Sequence, residues 1–489
     1  MADPSIENAI APTPRVVFLR LALVFAAVHA IFYGLGGRFD ATTLDEIMHF
    51  MDPELLRHRL IETCFYLHIQ PPLMNLLVGL VLKLPAAVGW AIFHSAFLVF
   101  GLTLYLSVFL LQVRLGVSQR IAAVLATLFL ASPSFLVFEH WLFYTFPCGM
   151  LLAVASLLLF EVLDRRRSWA IAGFALAVMT LCGLRSMFHL LYFVLVLAVG
   201  LIFCPGYRQR VLALSLVPLL LVAAVYAKNY AVFGRFSACT FSGKNLWIMT
   251  VGNLSWPQRE ALIESGAISE LSRINRWSSV DEYPTPYRAV RGFEGVPVLR
   301  QTHKSTGGVN YNHLATIAIS DQYGKDARYV LLHHPRAFLI AVAISSFRYF
   351  APATTLPVSS GNREALRWPM AFYDNVLYGR WPFDTTSCRF LEMAQAVPYV
   401  FLLIGLPAAV LYGLIAAARG QAGPARLSRT QRIVILYLCF NIVFVAVMGC
   451  CLDARETSRY RFMTDGLSVA LIGLLAQRII AALRAKRTA

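Results

Sequence analysis

Val88–Gln112, VGWAIFHSAFLVFGLTLYLSVFLLQ, is the stretch that decides the fold. It contains no aspartate, glutamate, lysine or arginine. It exceeds the ~20 apolar residues an α-helix needs to cross a bilayer. Working outward, comparable runs occur at 16–35, 121–138, 147–163, 169–184, 187–203, 211–227, 395–417, 433–450 and 463–480. Their apolar residues are continuous and not alternating, so a β-barrel does not fit. Backbone inside lipid must then be helical, because no water is there to satisfy it. The expectation is an all-α polytopic membrane protein with roughly 10 to 13 transmembrane helices.

Composition agrees. The chain has 489 residues, of which 58% are hydrophobic and only 14% charged. A soluble domain exposes more charge than that. The formal net charge is +17, but this does not indicate nucleic acid. The basic residues cluster between the apolar runs, at Arg114 and Arg120, Arg165–Arg167, Arg208 and Arg210, Arg426–Arg432 and Arg484–Arg487. Such clustering marks cytoplasmic loops, and anionic lipid headgroups are its natural partners. The nine cysteines show no metal-ligand spacing, and neither do His303, His313, His333 and His334. No metal site is expected. Cys64, Cys239 and Cys388 fall in loops assigned to the outside, which leaves room for one disulfide. Residues 16–35 have the length of a signal peptide, with Val28-His-Ala30 as a cleavage-like site. The many spans that follow favour an uncleaved anchor.

The basic clusters divide the chain. Residues 1–35 are a cytoplasmic N-terminus and first span, 36–70 a first external loop, and 71–233 a membrane bundle. Residues 234–336 lack long apolar runs and are too long for a structureless loop, so a small external domain is expected there. Residues 337–394 form a membrane-proximal segment and loop. Residues 395–489 form the C-terminal spans and a basic tail. Two stretches, 71–84 and 337–352, break the alternation and read as short or re-entrant. In the first loop, Asp52-Pro53-Glu54 places a capping residue before a proline at the first helical position, and Leu55, Leu56 and Leu60 follow on one face.

Four sets of residues carry chemistry. Asp45 and Glu46 put adjacent carboxylates in the first external loop, where a base is held at the lipid interface without the cost of central burial. They also fit a helix start. His68 and Gln70 precede Pro71-Pro72, whose rigid backbone fixes where the next membrane segment begins. Arg185 follows Gly183 at a turn between two apolar runs, at headgroup depth, where its fork suits a phosphate. Glu456, Arg459 and Arg461 lie in a charged cluster between two spans, on the side where arginines are disfavoured, and so suggest an anionic ligand. Glu139 lies in another external turn, and Lys244 at the entry to the 234–336 domain.

In these motifs the chain resembles the GT-C superfamily of membrane glycosyltransferases, of the protein O-mannosyltransferase and lipid A aminoarabinose transferase type. Those enzymes carry an acidic pair in the first external loop and a polar residue before Pro-Pro-Leu. The resemblance implies inverting transfer of a sugar from a polyprenyl-phosphate carrier, facing the periplasm of a bacterial inner membrane. It implies that Asp45 is the base and Glu46 its support. Arg185, Arg459, Arg461, Lys244, His68 and Gln70 would face the donor phosphate, and Glu456 and Glu139 the acceptor or its surroundings. The expected partners are membrane lipids, the lipid-linked donor, and a glycan, lipid or protein acceptor. No cofactor is required beyond the lipid-linked co-substrate, with dependence on a divalent metal left open. The chain departs from the family at His68 and Gln70, since Gln70 brings no charge. A transporter or flippase is the rival class and would show charged residues inside spans and repeat symmetry. A membrane-anchored scaffold would have no use for the acidic pair.

Overall fold

A computed structural model describes residues 14–382, 385–387, 389–419, 427–454 and 456–488. Among them there is no strand, only three isolated bridges such as Asp40–Trp141. The helices used below are α1 (Pro14–Gly34), α2 (Thr43–Glu46), α3 (Pro53–His58), α4 (Leu60–Phe65), α5 (Leu73–Leu82), α6 (Ala86–Arg114), α7 (Gln119–Leu130) and α8 (Pro133–Glu139). They continue with α9 (Thr145–Arg165), α10 (Ser168–Leu184), α11 (Leu190–Phe203), α12 (Arg208–Phe233), α13 (Ser242–Met249), α14 (Ala315–His333), α15 (Pro335–Tyr349), α16 (Val400–Arg419), α17 (Arg429–Leu452) and α18 (Thr457–Thr488).

Seven of these, α1, α6, α9, α12, α16, α17 and α18, are long and apolar enough to cross a membrane. The protein is an all-α polytopic membrane protein. Two further pairs reach spanning length but are bent, α7–α8 by 59° and α14–α15 by 100°. Both breaks precede a proline, Pro133 or Pro335, whose ring cannot continue the preceding helix. The apolar helices α5, α10 and α11 are shorter. With both bent pairs the spans number up to nine, and the expected roughly 10 to 13 is reached only when short apolar helices are counted as well. The two ambiguous stretches have a physical explanation. Helix α5 has 10 residues and is ~15 Å long, about half the hydrocarbon thickness. Residues 335–349 are the second arm of the α14–α15 bend.

The basic clusters gather at one end of the bundle. Arg114 pairs with Glu161 at 2.6 Å, Gln431 donates to the Arg114 carbonyl at 2.9 Å, and Thr430 donates to Asp164. Arg210 reaches the Arg166 carbonyl at 3.4 Å. From this end α9 runs its 21 residues, ~31 Å, to Tyr144 at the opposite end.

At that opposite end, residues between α12 and α15 build a second apolar core from Trp247, Val251, Leu271, Tyr283, Ile319 and Tyr323. Helices α13 and α14 touch backbone to backbone because residue 243 is glycine. A Cβ there would lie 1.8 Å from the Ser320 carbonyl oxygen. This unit also holds the first loop. Asp52 caps α3 by accepting from Glu54 N–H at 3.0 Å, and it accepts from Ser305 N–H at 2.8 Å. Lys304 donates to the Ile47 carbonyl at 3.0 Å. Cys64 and Cys239 are free thiols, and Cys388 lies outside the described residues.

Candidate functional site

A cavity of about 1260 Å³ opens between the end of the bundle and the 234–336 unit. Each wall comes from a different part of the chain. Ile47, Met48 and His49 follow α2, Gln70 precedes Pro71-Pro72, and Arg185 ends α10. Asp453, Glu456, Arg459 and Tyr460 come from the junction of α17 and α18. Trp277, Tyr311, Arg259 and Arg276 come from the 234–336 unit. The remaining wall is apolar. Leu191, Val194 and Leu452 line it and are 57%, 43% and 41% exposed, on helices whose outer faces suit lipid.

The polar floor centres on Tyr144. Arg185 donates to Tyr144 Oη, to His49 Nε2 at 2.9 Å and to Tyr460 Oη at 2.8 Å. Arg459, only 1% exposed, donates to the same Tyr144 Oη at 3.2 Å and pairs with Glu456. Its guanidinium also lies 4.9 Å from the Phe143 ring centre, a favourable cation–π distance. Tyr460 donates to Asp453 at 2.7 Å. Among the described residues, four arginines thus line the cavity against two carboxylates. Burial pushes the His49 imidazole well below its ordinary pKa, and the charges of Arg185, Arg459 and Lys304 push it the same way. His49 is therefore neutral. Because its Nε2 accepts from Arg185, its Nδ1 carries the proton, and Nδ1 has no partner. Gln70 Nε2 is likewise buried without a partner. Both are buried donors without a partner among the described residues, on side chains that line the cavity.

The fold separates the residues that the sequence grouped. Arg185, Arg459, Gln70 and Glu456 converge on the cavity. Arg461 does not line it. Residues 457–488 are helical, so positions two apart point ~200° away from each other. Arg461 turns inward instead, to Asp465 at 2.9 Å and to the Ala351 carbonyl at 3.2 Å. Lys244 is not a cavity residue either. It is 1% exposed, donates to the Arg276 carbonyl at 3.0 Å and sits among Phe241, Tyr283 and Tyr311. Burial, with Arg276 nearby, lowers its pKa to about 7.

His68 is fully buried and latched to the 234–336 unit. Its Nε2 donates to the Asn312 carbonyl at 2.9 Å, and its Nδ1 accepts from Thr240 at 2.7 Å. Burial lowers its pKa to about 3, so it offers no charge to a phosphate. Glu139 is fully buried against His29, away from the cavity lining, and cannot touch an acceptor there. Asp45 is exposed in α2, two residues before the cavity wall begins at Ile47. Its carboxylate has no hydrogen-bond partner among the described residues, while its backbone carbonyl accepts from Thr306 at 3.3 Å. The Glu46 side chain and Arg455 lie outside the described residues.

Sequence reading missed His49, Tyr144 and Tyr460. His49 carried one signal, standing four residues after Asp45 in the same loop. Ionisable side chains do lie within or at the ends of apolar helices, the feature expected of the rival transporter class: His29, Glu139 and Arg461 are buried there and Asp465 is part-buried. No protein-family model matches this chain, and no curated protein or solved structure matches it.

Proposed function

We propose that this protein is an inverting glycosyltransferase that moves a sugar from a polyprenyl-phosphate carrier to an acceptor hydroxyl. The observation that carries the reading is the cavity itself, with an arginine-rich floor at one end and an exposed apolar wall at the other. That combination fits an anionic head on a long apolar tail. A polyprenyl chain is too apolar to arrive through water, so the phosphate would enter sideways from lipid and meet Arg185 and Arg459.

In this reading the acceptor hydroxyl gives its proton to Asp45 and its oxygen attacks the anomeric carbon. The carbon–oxygen bond to phosphate breaks, and the phosphate leaves with the electron pair. Arg185, Arg459 and the Gln70 amide stabilise the charge that develops on it. Asp45 suits the base because its carboxylate is not tied up, whereas Glu456 is held by Arg459 and Asp453 by Tyr460. Glu456 then orients Arg459 beside the acceptor, and Glu46 supports Asp45. No cofactor is required. The site would face the periplasm of a bacterial inner membrane, with the basic end in the cytoplasm. The acceptor is a glycan, lipid or protein of the cell envelope.

The test is transfer from a polyprenyl-phosphate sugar by the purified protein. Asp45→Asn should lower turnover by roughly 100-fold or more, because an amide cannot take the proton. Asp45→Asn activity within a few-fold of wild type, with Glu456→Gln inactive, would move the base to Glu456. A second reading is a transporter of the same amphiphile. It is favoured by ionisable groups inside apolar helices, such as Glu139 and Asp465. It predicts binding and movement of the lipid with no bond broken.

A further inference from the structure

The wall that the 234–336 unit gives to the cavity differs from both the floor and the apolar wall. Phe241, Trp247, Trp277 and Tyr311 line it together with Arg259 and Arg276. Aromatic rings and cations share one surface there. The cavity, at about 1260 Å³, also exceeds the ~300–1,000 Å³ of a pocket that holds one drug-sized ligand. It has room for a second substrate beside the donor head.

Trp277 is held at this wall by its backbone. Its N–H donates to Asn275 Oδ1 at 3.0 Å, and its carbonyl accepts from the Tyr311 hydroxyl at 2.7 Å. The indole stacks on Phe241 with ring centres 6.2 Å apart and meets Tyr311 edge-on at 5.7 Å. The Arg276 guanidinium lies 4.1 Å from the indole centre. Fixed in this way, Trp277 is still 37% exposed. A rigid, exposed indole beside polar groups suits the C–H face of a sugar ring. Packing there buries apolar area at little entropic cost, and the hydroxyls around the ring edge stay free to hydrogen-bond.

Arg259 adds a charge to the same wall. It comes from the helix Trp256–Glu264, and its guanidinium lies 5.1 Å from the Trp247 ring centre and 5.6 Å from that of Trp256, within cation–π range. It donates to the Val251 carbonyl at 3.2 Å, and its Nε is buried without a partner. No carboxylate among the described residues pairs with it. The two carboxylates of the cavity lining are engaged at the floor, Glu456 with Arg459 and Asp453 with Tyr460. A cation held by rings and a carbonyl keeps its charge for a ligand, and a carboxylate or phosphate matches its fork.

We propose that this wall is the acceptor subsite and that the acceptor is an acidic glycan, with one sugar ring packed on Trp277 and a carboxylate or phosphate of the glycan held by Arg259. The proposal rests on the glycosyltransferase reading above and narrows its acceptor to a charged glycan. One cavity then holds two anionic groups apart, the donor phosphate at Arg185 and Arg459 and the acid of the acceptor at the 234–336 wall. The same unit touches the loop that carries Asp45, through the bond from Thr306 to the Asp45 carbonyl. Acceptor and base are thus positioned by one body.

The experiment is calorimetric titration of the full chain in detergent with four probes, tetragalacturonate, its methyl ester, glucose 6-phosphate and glucose. An acidic probe should bind roughly 10-fold or more tighter than its neutral counterpart, and which acid does so distinguishes carboxylate from phosphate. Arg259→Met and Trp277→Leu should each weaken that binding by roughly 10-fold or more, while affinity for a polyprenyl-phosphate analogue stays within about two-fold. Should Arg259→Met fail to fold, the exposed Trp277→Leu decides alone. Failure of every probe, equal affinity for an acid and its neutral counterpart, or acid binding undiminished in a folded wall variant would overturn the subsite. A wild type that takes the acid but not the polyprenyl phosphate would contradict the donor reading and still support the wall site.

Discussion

The two ends of the helical bundle hold arginines in opposite ways. At the basic end, Arg114 and Arg165 lie at the surface, with side chains 38% and 53% exposed, around the single carboxylate of Glu161. Water does most of the solvation there, and such pairs contribute ~0–1 kcal/mol. At the other end, Arg459 is 1% exposed and shares Tyr144 with Arg185. Two guanidinium groups around one phenol are held close against their mutual repulsion, and desolvation makes that arrangement costly. The abundance of arginine is uninformative by itself. Buried arginine beside a cavity is informative, because the fold bears a cost that an anionic ligand would relieve.

The comparison breaks most directly at Arg185. Replacing it with methionine should weaken binding of a lipid phosphate by roughly 100-fold, since charge-assisted bonds to the phosphate are lost. The melting temperature should not fall, because no carboxylate among the described residues pairs with Arg185 and a buried like-charge contact is removed. A large drop in melting temperature would show that Arg185 is a structural group. Arg461→Ala should behave in the reverse way. It strands the part-buried Asp465 and should cost ~3 kcal/mol of stability while leaving lipid-phosphate affinity within a few-fold. Denaturation and binding measured on the same preparation check both.

His68 sharpens the contrast through pH. Its folded pKa is about 3, below the ~6.5 of an unfolded histidine. Between those values the unfolded chain binds the extra proton and the folded chain does not. Stability therefore falls as the solution is acidified from pH 6.5 towards 3, by at most about 1.4 kcal/mol per pH unit from this group. His68→Asn should flatten the acid side of a melting-temperature profile. An unchanged slope would mean that the latch to Thr240 and Asn312 does not hold the histidine neutral. The smallest effect belongs to the basic end, where Arg165→Ala should change stability by no more than ~0.5 kcal/mol and leave binding alone.

Much of the fold was legible because the bilayer imposes it. Continuous apolar runs such as Val88–Gln112 admit only helices in lipid, and α6 covers that run. The Asp52-Pro53 start of α3 was legible for local reasons, since a cap and a proline act within one turn. The site was legible in part. Arg185 and Gln70 precede or follow helix boundaries that proline and glycine announce, and both reach the cavity. Arg461 was misassigned because the charged cluster reads as a loop, whereas α18 begins at Thr457 and rotates it away from Arg459. Lys244 and His68 were misassigned because burial, which removes their use as cations, is a property of the assembled 234–336 unit and not of nearby residues. Glu139 was read as an acceptor residue and its pairing with His29 escaped notice, because nothing in a linear reading brings the two together.

The most direct test of the central claim is the affinity of the purified protein for a polyprenyl-phosphate analogue, compared with the Arg185→Met, Arg459→Met double variant. The account predicts binding in the wild type, strengthened at low salt, and its loss in a double variant that remains folded. Equal affinity in the two proteins, or tighter binding of an uncharged polyprenol than of its phosphate, would contradict it.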